Sequence, residues 1–414
     1  MHHPSTPIKK PIIAELLRIP VIVSALGYLV DMYDLFLFSV VRVPSLKDLG
    51  LTGDQLLKDG ILLLNFQIAG LLVGGIFWGV LGDKRGRLSV LFGSIIIYSL
   101  ANIANGFVSS FSGYVLLRFV AGFGLAGELG AGITLVTESL RKEIRSYGTT
   151  LVATMGVLGA ILAYFMADIF NWRISYFIGG GLGLLLLVLR VRVLESGLFV
   201  RLKEKSVSRG NVLLLFNNKR RLLSYLKCIL VGLPIWYVVG ILITFSPELG
   251  KALGISEPVE AGKAVMSSFS GQVLGDILSG LLSQRLRSRK KVVLMFLTLS
   301  FCLVLVYLLV PLHTALPFYL ICVLLGFSNG YWTLFVTIAA ELFGTNLRAT
   351  AATTAPNFVR GAMIPLTALF VQLRAYIGTV YSALVIGVFT ILLALLSLWL
   401  LEETFHKDLD WVED

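Results

Sequence analysis

The sequence predicts an all-α membrane protein of twelve transmembrane helices in two pseudo-symmetric six-helix bundles, and three observations carry that expectation. Of 414 residues, 57% are hydrophobic and only 14% charged, with a mean hydropathy of +0.87, beyond what a water-soluble chain of this length reaches. Apolar runs of about 20 residues, the length that crosses a bilayer core as a helix, occur twelve times. The chain also repeats itself: Glu138 and Arg145 recur 203 residues later as Glu341 and Arg348, and Gly127 recurs at the same offset as Gly330.

The first run, 21–41, is longer than a signal-peptide core, carries two acids and lacks a small-residue cleavage site, so it reads as a spanning helix. Runs at 60–82, 88–108, 113–139, 148–169 and 175–192 complete a first set of six, within residues 1–194. Residues 195–221 are polar and basic and read as a cytoplasmic linker, with Leu198, Phe199 and 212–216 apolar enough to lie along a membrane surface. A second set follows within 222–414, at 222–245, 264–284, 292–312, 317–340, 349–373 and 378–401. The turn 79–87 has a worn counterpart at 280–288. Duplicated halves of this kind build transporters whose site lies at the midplane between them and which open to each side in turn.

The net charge of +11 does not point to nucleic acid, because the basic residues collect in alternate loops. Lys84, Arg85, Arg87, Arg141, Lys142, Arg145 and the cluster between Arg190 and Arg221 fall on one side, whereas the loops 109–112 and 313–316 have none; Arg42, Lys47 and Lys58 fall in a less clean opposite loop. This positive-inside bias puts both termini in the cytoplasm. Cys228, Cys302 and Cys322 all lie in apolar runs and define no disulfide framework. No histidine falls in a run, and no metal-ligand cluster or nucleophile constellation is present, so neither a cofactor, a metal nor an enzyme is expected.

The polar residues inside the runs carry the chemistry. Asp31 and Asp34, three apart, share one face of the first helix. An ionised Asp at mid-bilayer costs roughly 2.5–3.5 kcal/mol and usually marks an ion or substrate pathway. Burial disfavours the charged carboxylate, so each acid can load and release a proton; the bland alternative for Asp34 is an ion pair with Arg118 of the fourth helix. Glu128, in the glycine-rich fourth run, is a further proton candidate that could exchange partners with Arg118; its glycines fit close helix packing. Arg360 offers a permanently charged fork of donors that fits a carboxylate, with Asn357 three residues before it on the same face. Its alternative is an ion pair with Asp276. Tyr33, Trp236, Tyr237, Tyr331 and Trp332 could wall a substrate site, or anchor at interfaces. Asp83, Arg87, Glu138, Arg145, Glu341 and Arg348 sit at loop ends, where a plain topological role competes with gating.

On motifs, the chain resembles the major facilitator superfamily over nearly its whole length. Gly79 to Arg87 is similar to the signature G-x-L-x-D-R-x-G-R between its second and third helices, with Lys84 in place of the first arginine. Arg118-Phe-Val-Ala-Gly-Phe-Gly-Leu-Ala-Gly-Glu128, Asn171 to Phe177 with Glu195 to Phe199, and the tail Glu403-Thr404-Phe405 resemble patterns of its proton-linked metabolite and sugar-porter branches. Asp31-Met32-Tyr33-Asp34 looks like the first-helix D-G-[FY]-D of aromatic acid:proton symporters and the E-W-[FY]-D of metabolite:proton symporters, and Arg348 followed twelve residues on by Arg360 resembles the former. The resemblance implies a monomer in a bacterial inner membrane that imports a small organic anion, aromatic or another carboxylate, with protons. It also implies a cytoplasmic latch built on Asp83, Arg87, Glu138 and Arg145 and their second-half counterparts. The alternatives are a proton symporter of a neutral or zwitterionic solute and, from another class, a non-transporting membrane sensor.

Overall fold

A computed structural model describes residues 12–85, 87–128, 132, 136, 140, 144–195, 217–343 and 345–405. The linker expected at 195–221 therefore lies for the most part outside the described residues. Helices α1 (Ile19–Asp48), α2 (Gln55–Arg85), α3 (Arg87–Gly106), α4 (Phe111–Leu125), α5 (Arg145–Ile169) and α6 (Trp172–Glu195) form the first bundle. The second holds α7 (Lys219–Tyr237, running on through a wide turn Val238–Ile243), α8 (Ala261–Leu286), α9 (Arg289–Leu309) and α10 (Ala315–Ser328, continued by Trp332–Glu341). Helix α11 is Thr345–Gly361 continued by 363–377, and α12 is 379–400; Gly378, at φ 78°, breaks the long helical stretch between them.

Among the described residues, eight stretches are long and apolar enough to cross a membrane, and Thr354–Leu400 holds two spans either side of Gly378. Val90–Gly106 and Phe111–Leu125 are shorter apolar helices, and Ala261–Leu286 has the length of a span but a polar face of serines, Gln272 and Asp276 that is turned inward. These make up the twelve helices of an integral multi-pass membrane protein. Lipid-side exposure fits: Leu281, Leu316, Val73 and Ile76 stand outward. With no water in the bilayer core, only helices that satisfy their own backbone can present such a surface.

The two bundles repeat one packing solution. In the first, α2 and α4 cross where a Cβ on Gly70 would overlap the carbonyl of Phe119, and one on Gly122 the carbonyl of Gln67. In the second, α8 and α10 cross with Gly271 against the carbonyl of Val323 and Gly326 against that of Ser268. Small residues let the backbones touch, which is how helices associate where lipid offers no hydrophobic drive.

The bundles meet through α1 and α5 against α8 and through α2 against α11. Among the described residues, five side-chain hydrogen bonds join them toward the end opposite residues 19 and 400, called here the distal end. Arg42 Nη2 donates to Glu248 Oε2 at 2.8 Å and to the carbonyl of Thr244 at 3.3 Å; Thr244 Oγ1 donates to Ser39 Oγ at 3.2 Å; Thr367 Oγ1 donates to Asn65 at 2.9 Å; and Arg374 Nη1 donates to Asp54 Oδ1 at 2.6 Å. Arg42, expected in a loop, lies fully buried inside α1, which runs seven residues past the apolar run because this charge is paired rather than solvated. The wide turn at Val238–Ile243, whose Thr244 N–H reaches back five residues to the carbonyl of Val239, shifts the register of α7 so that Thr244 and Phe245 face Arg42.

Asp54 lies outside the spans, and the hydrogen bond from Arg374 holds its carboxyl below the usual Asp range. A lowered folded-state value means that the tie stays intact above the ordinary Asp titration near about 4 and weakens only in stronger acid. Both partners are half-exposed, so Asp54→Asn is expected to lower thermal stability in detergent by less than about 1 kcal/mol, with no change across roughly pH 5–8.

Candidate functional site

Asp31 and Asp34 are both buried in α1, but they face different surroundings. Asp34 points into the first bundle, packed against Gly179 of α6, where an added Cβ would overlap its Oδ1. Neither of its carboxylate oxygens meets hydrogen-bond geometry, although the equally unpartnered amide nitrogen of Asn102 lies close to it. Arg118 of α4 acts on it electrostatically but is not ion-paired to it: Arg118 Nη2 donates to Asn102 Oδ1 at 2.8 Å and Nε to Asn105 Oδ1 at 3.4 Å, its face covers the Tyr176 ring at 4.7 Å, and its Nη1 is unpartnered. Asn102 and Asn105 of α3 thus hold Arg118 in place, and the Asp34–Arg118 ion pair weighed from sequence is not formed.

Asp31 lies within electrostatic reach of Arg360 in the second bundle and of Glu128 and Arg190 in its own. Glu128 does not turn to Arg118. It forms a bidentate ion pair with Arg190 of α6, Nη1 to Oε1 at 2.8 Å and Nη2 to Oε2 at 2.7 Å, with Ser94 Oγ donating to Oε1 at 3.1 Å. Gly27 makes room for that pair, since a Cβ there would overlap Arg190 Nη2. Arg190, read from sequence as the start of a basic loop, is a buried residue of α6.

Arg360 stands in the second bundle at the interface, 2% exposed, with no acid within ion-pair distance among the described residues. Its Nη1 donates to Asn357 Oδ1 at 3.4 Å, its Nε is unpartnered, and its face lies 5.5 Å from the centre of the Trp236 ring. The alternative pair with Asp276 is not formed, because Asp276 Oδ1 instead accepts from Thr333, from the N–H at 3.4 Å and the hydroxyl at 3.3 Å. Asn357 lies against Gly75 of α2, 3.4 Å from a Cβ built there, so it spans the interface.

The aromatic residues divide. Trp236 stacks with Phe36 of α1 across the interface at 6.0 Å, and Phe36 meets Phe269 of α8 at 4.4 Å. Tyr28 of α1 sits among Arg360, Asp31, Trp332 and Asp276. Tyr33, Tyr237 and Tyr331 instead spend their hydroxyls on carbonyls within their own bundle, those of Ser175 at 2.8 Å, Ala383 at 2.6 Å and Val231 at 3.0 Å. Their hydroxyls are thus taken up within their own bundles. Phe36, Phe269 and Tyr28 were missed from sequence; a helical wheel through Asp31 would have put Tyr28 on its face.

Of the residues expected to latch the far end, the side chains of Asp83, Arg87, Glu138, Arg145 and Arg348 lie outside the described residues. Glu341 accepts from Arg289 Nη2 at 3.2 Å and from Thr404 Oγ1 at 2.7 Å. Beside it Glu403 accepts from Ser288 Oγ and from the N–H groups of Arg289, at 2.9 Å, and Phe405, at 3.1 Å. Burial pushes the Glu403 carboxyl up, but these donors, at the N-terminus of α9 and in the tail itself, outweigh it and hold it below the usual range. The tail is thus tied to the start of α9.

Residues 24–368 match the Major Facilitator Superfamily. The chain belongs to that superfamily. It is 27% identical over 340 residues to a probable 4-methylmuconolactone transporter of Cupriavidus pinatubonensis, covering 78% of this chain and 76% of that one. It is 31% identical over 178 residues to the niacin transporter NiaP of Acinetobacter baylyi, covering 42% and 40%. Its fold is similar to the crystal structure of a D-xylose-proton symporter, with a TM-score of 0.68 at 17% identity over 95% of this chain and 99% of that one. This major facilitator is therefore a transporter of small molecules, not an enzyme.

Proposed function

We propose that this facilitator imports a small organic anion, an aromatic or other carboxylate, together with protons, by alternating access between its two bundles. The observation that carries the reading is Arg360: a buried guanidinium at the bundle interface with an unpartnered Nε, no acid within ion-pair distance among the described residues, and the Trp236 face beside it. A buried charge without a partner is costly, and a substrate carboxylate removes that cost while the fork of donors orients it. The Trp236, Phe36 and Phe269 cluster supplies an apolar wall for an aromatic body. The names of the relatives support the class, since niacin is an aromatic carboxylate. Asp31 and Asp34 are the proton carriers in this reading, with both termini in the cytoplasm of a bacterial inner membrane.

The test is uptake into liposomes holding the purified protein, with an imposed pH gradient and labelled benzoate or nicotinate, each competed by D-xylose and by an amino acid. Arg360→Ala is expected to weaken carboxylate transport by roughly ten- to a hundredfold, the loss of one hydrogen-bonded charge contact. Arg360→Lys should restore only part, because an ammonium lacks the planar fork. Uptake of D-xylose with no uptake of either acid would overturn the reading.

A further inference from the structure

The interior of the first bundle holds a chain of buried hydroxyls that the substrate reading does not use. Tyr176 of α6 and Tyr114 of α4 are both fully buried, and their hydroxyls are 2.7 Å apart. Tyr114 Oη donates to Ser45 Oγ of α1 at 3.3 Å, so the hydroxyl proton of Tyr176 points to Tyr114. Ser45, one helical turn from the distal end of α1, in turn donates to the carbonyl of Arg42. At that end Asp48 pairs with Arg173 at 3.1 Å, and Arg173 lies over Trp172, which packs on both tyrosines. At the inner end the Tyr176 ring lies under Arg118, whose Nη1 is unpartnered, as are both oxygens of Asp34.

These groups lie in one bundle, away from the Arg360 interface. Three hydroxyls in line, with exposed charges at one end and an unsatisfied carboxylate and guanidinium at the other, form what a proton relay needs. Both Arg118 and Asp34 act electrostatically on Tyr176, which places the relay's inner end beside the unpartnered carboxylate.

We propose that Ser45, Tyr114 and Tyr176 form a proton route from the distal surface to Asp34, separate from the substrate path; the proposal rests on the proton-coupled reading above. A proton arriving at Ser45 Oγ forms an O–H bond there as Ser45 gives its own proton to Tyr114, Tyr114 gives its own to Tyr176, and Tyr176 gives its own through one water to the Asp34 carboxylate. One O–H bond forms and one breaks at each hydroxyl, so each ends neutral and one proton is moved. The hydroxyls are left pointing toward the distal end, which is the sense in which Tyr176 and Tyr114 now donate. The charged groups around the route are Arg118 and Arg173, which oppose a free proton resting on it, and Asp34 and, at the distal end, Asp48, which attract one. Asp31 and Tyr33 from its own helix and Tyr98 from α3 flank Asp34 itself.

The experiment uses the full chain in liposomes, with nicotinate or whichever acid of the panel above the unaltered protein takes up fastest. Tyr176→Phe, Tyr114→Phe and Ser45→Ala keep the packing but cut the relay. Each is expected to slow pH-gradient-driven uptake by at least roughly tenfold, the scale of a lost proton-transfer group. Substrate counterflow, which needs no net proton transfer, should fall by much less. Tyr307→Phe, a buried hydroxyl bonded to the carbonyl of Leu242 in the other bundle, is the matched control and should leave both rates alike. Equal slowing of uptake and counterflow in the three variants, or no slowing, overturns the route while leaving coupling intact. No gradient-driven uptake of any panel acid by the unaltered protein overturns the coupled reading and the route together.

Discussion

Asp34→Asn is expected to abolish accumulation driven by a pH gradient while leaving exchange of labelled for unlabelled substrate. The side chain is nearly isosteric, so the packing against Gly179 is kept, and the one donor close to the native carboxylate, the Asn102 amide, can meet the oxygen of the introduced amide equally well. What is lost is the ability to take up and release a proton. Arg118 is held by Asn102 and Asn105 rather than by Asp34, so it keeps its place when the carboxylate goes. A single proton carried with a univalent anion moves no net charge, and a gradient of one pH unit then sustains about tenfold accumulation, or 1.4 kcal/mol. In the variant that ratio should fall to unity. If a second proton moves through Asp31, the unaltered protein gains about a further 2.3 kcal/mol per 100 mV of membrane potential, read as voltage-dependent uptake. Gradient-driven accumulation by Asp34→Asn at the unaltered level removes Asp34 from the coupling; the same loss in Asp31→Asn alone would transfer the role to Asp31, the acid that faces Arg360.

The division between these two acids shows where sequence stops. Their three-residue spacing puts them on one broad face, but whether that face meets α6 or the other bundle depends on how α1 is rotated among its neighbours, which is a matter of packing. The twelve spans, the duplication and the inward glycines were legible because bilayer length and close backbone approach leave composition signatures. Arg42 was not legible, because an apolar-run criterion ends at a charge and its partner Glu248 lies 206 residues away. The wide turn of Val238–Ile243 has only apolar residues and Gly240 to announce it. Aromatic rings in a span suit a substrate wall or an interfacial anchor, and the sequence does not show that the hydroxyls of Tyr33, Tyr237 and Tyr331 each bond a carbonyl of the same bundle. Arg360 was legible as an intramembrane charge, and its freedom from Asp276 was not, since only the structure shows Thr333 occupying that acid.

Removing Glu128 is expected to destabilise the protein by about 3–5 kcal/mol, the cost of leaving one charge of a buried pair alone. Both partners are at most 5% exposed, joined by two short hydrogen bonds, and Ser94 satisfies the carboxylate further. Glu128→Leu strands the Arg190 guanidinium, and Arg190→Met strands the carboxylate. The double variant strands neither, and replacing a buried pair by apolar residues of similar volume is often neutral or stabilising. Thermal unfolding in detergent should therefore show two strongly destabilised single variants and a double variant near the unaltered midpoint, a coupling well above the ordinary additivity error of about 0.5 kcal/mol. That pattern assigns Glu128 to holding α4 on α6, within reach of Asp31 but not itself loading and unloading protons. If Glu128→Leu unfolds at the unaltered temperature yet loses pH-driven uptake, the pair is not structural, and Glu128 joins Asp34 on the proton path with Arg190 as the partner it must release.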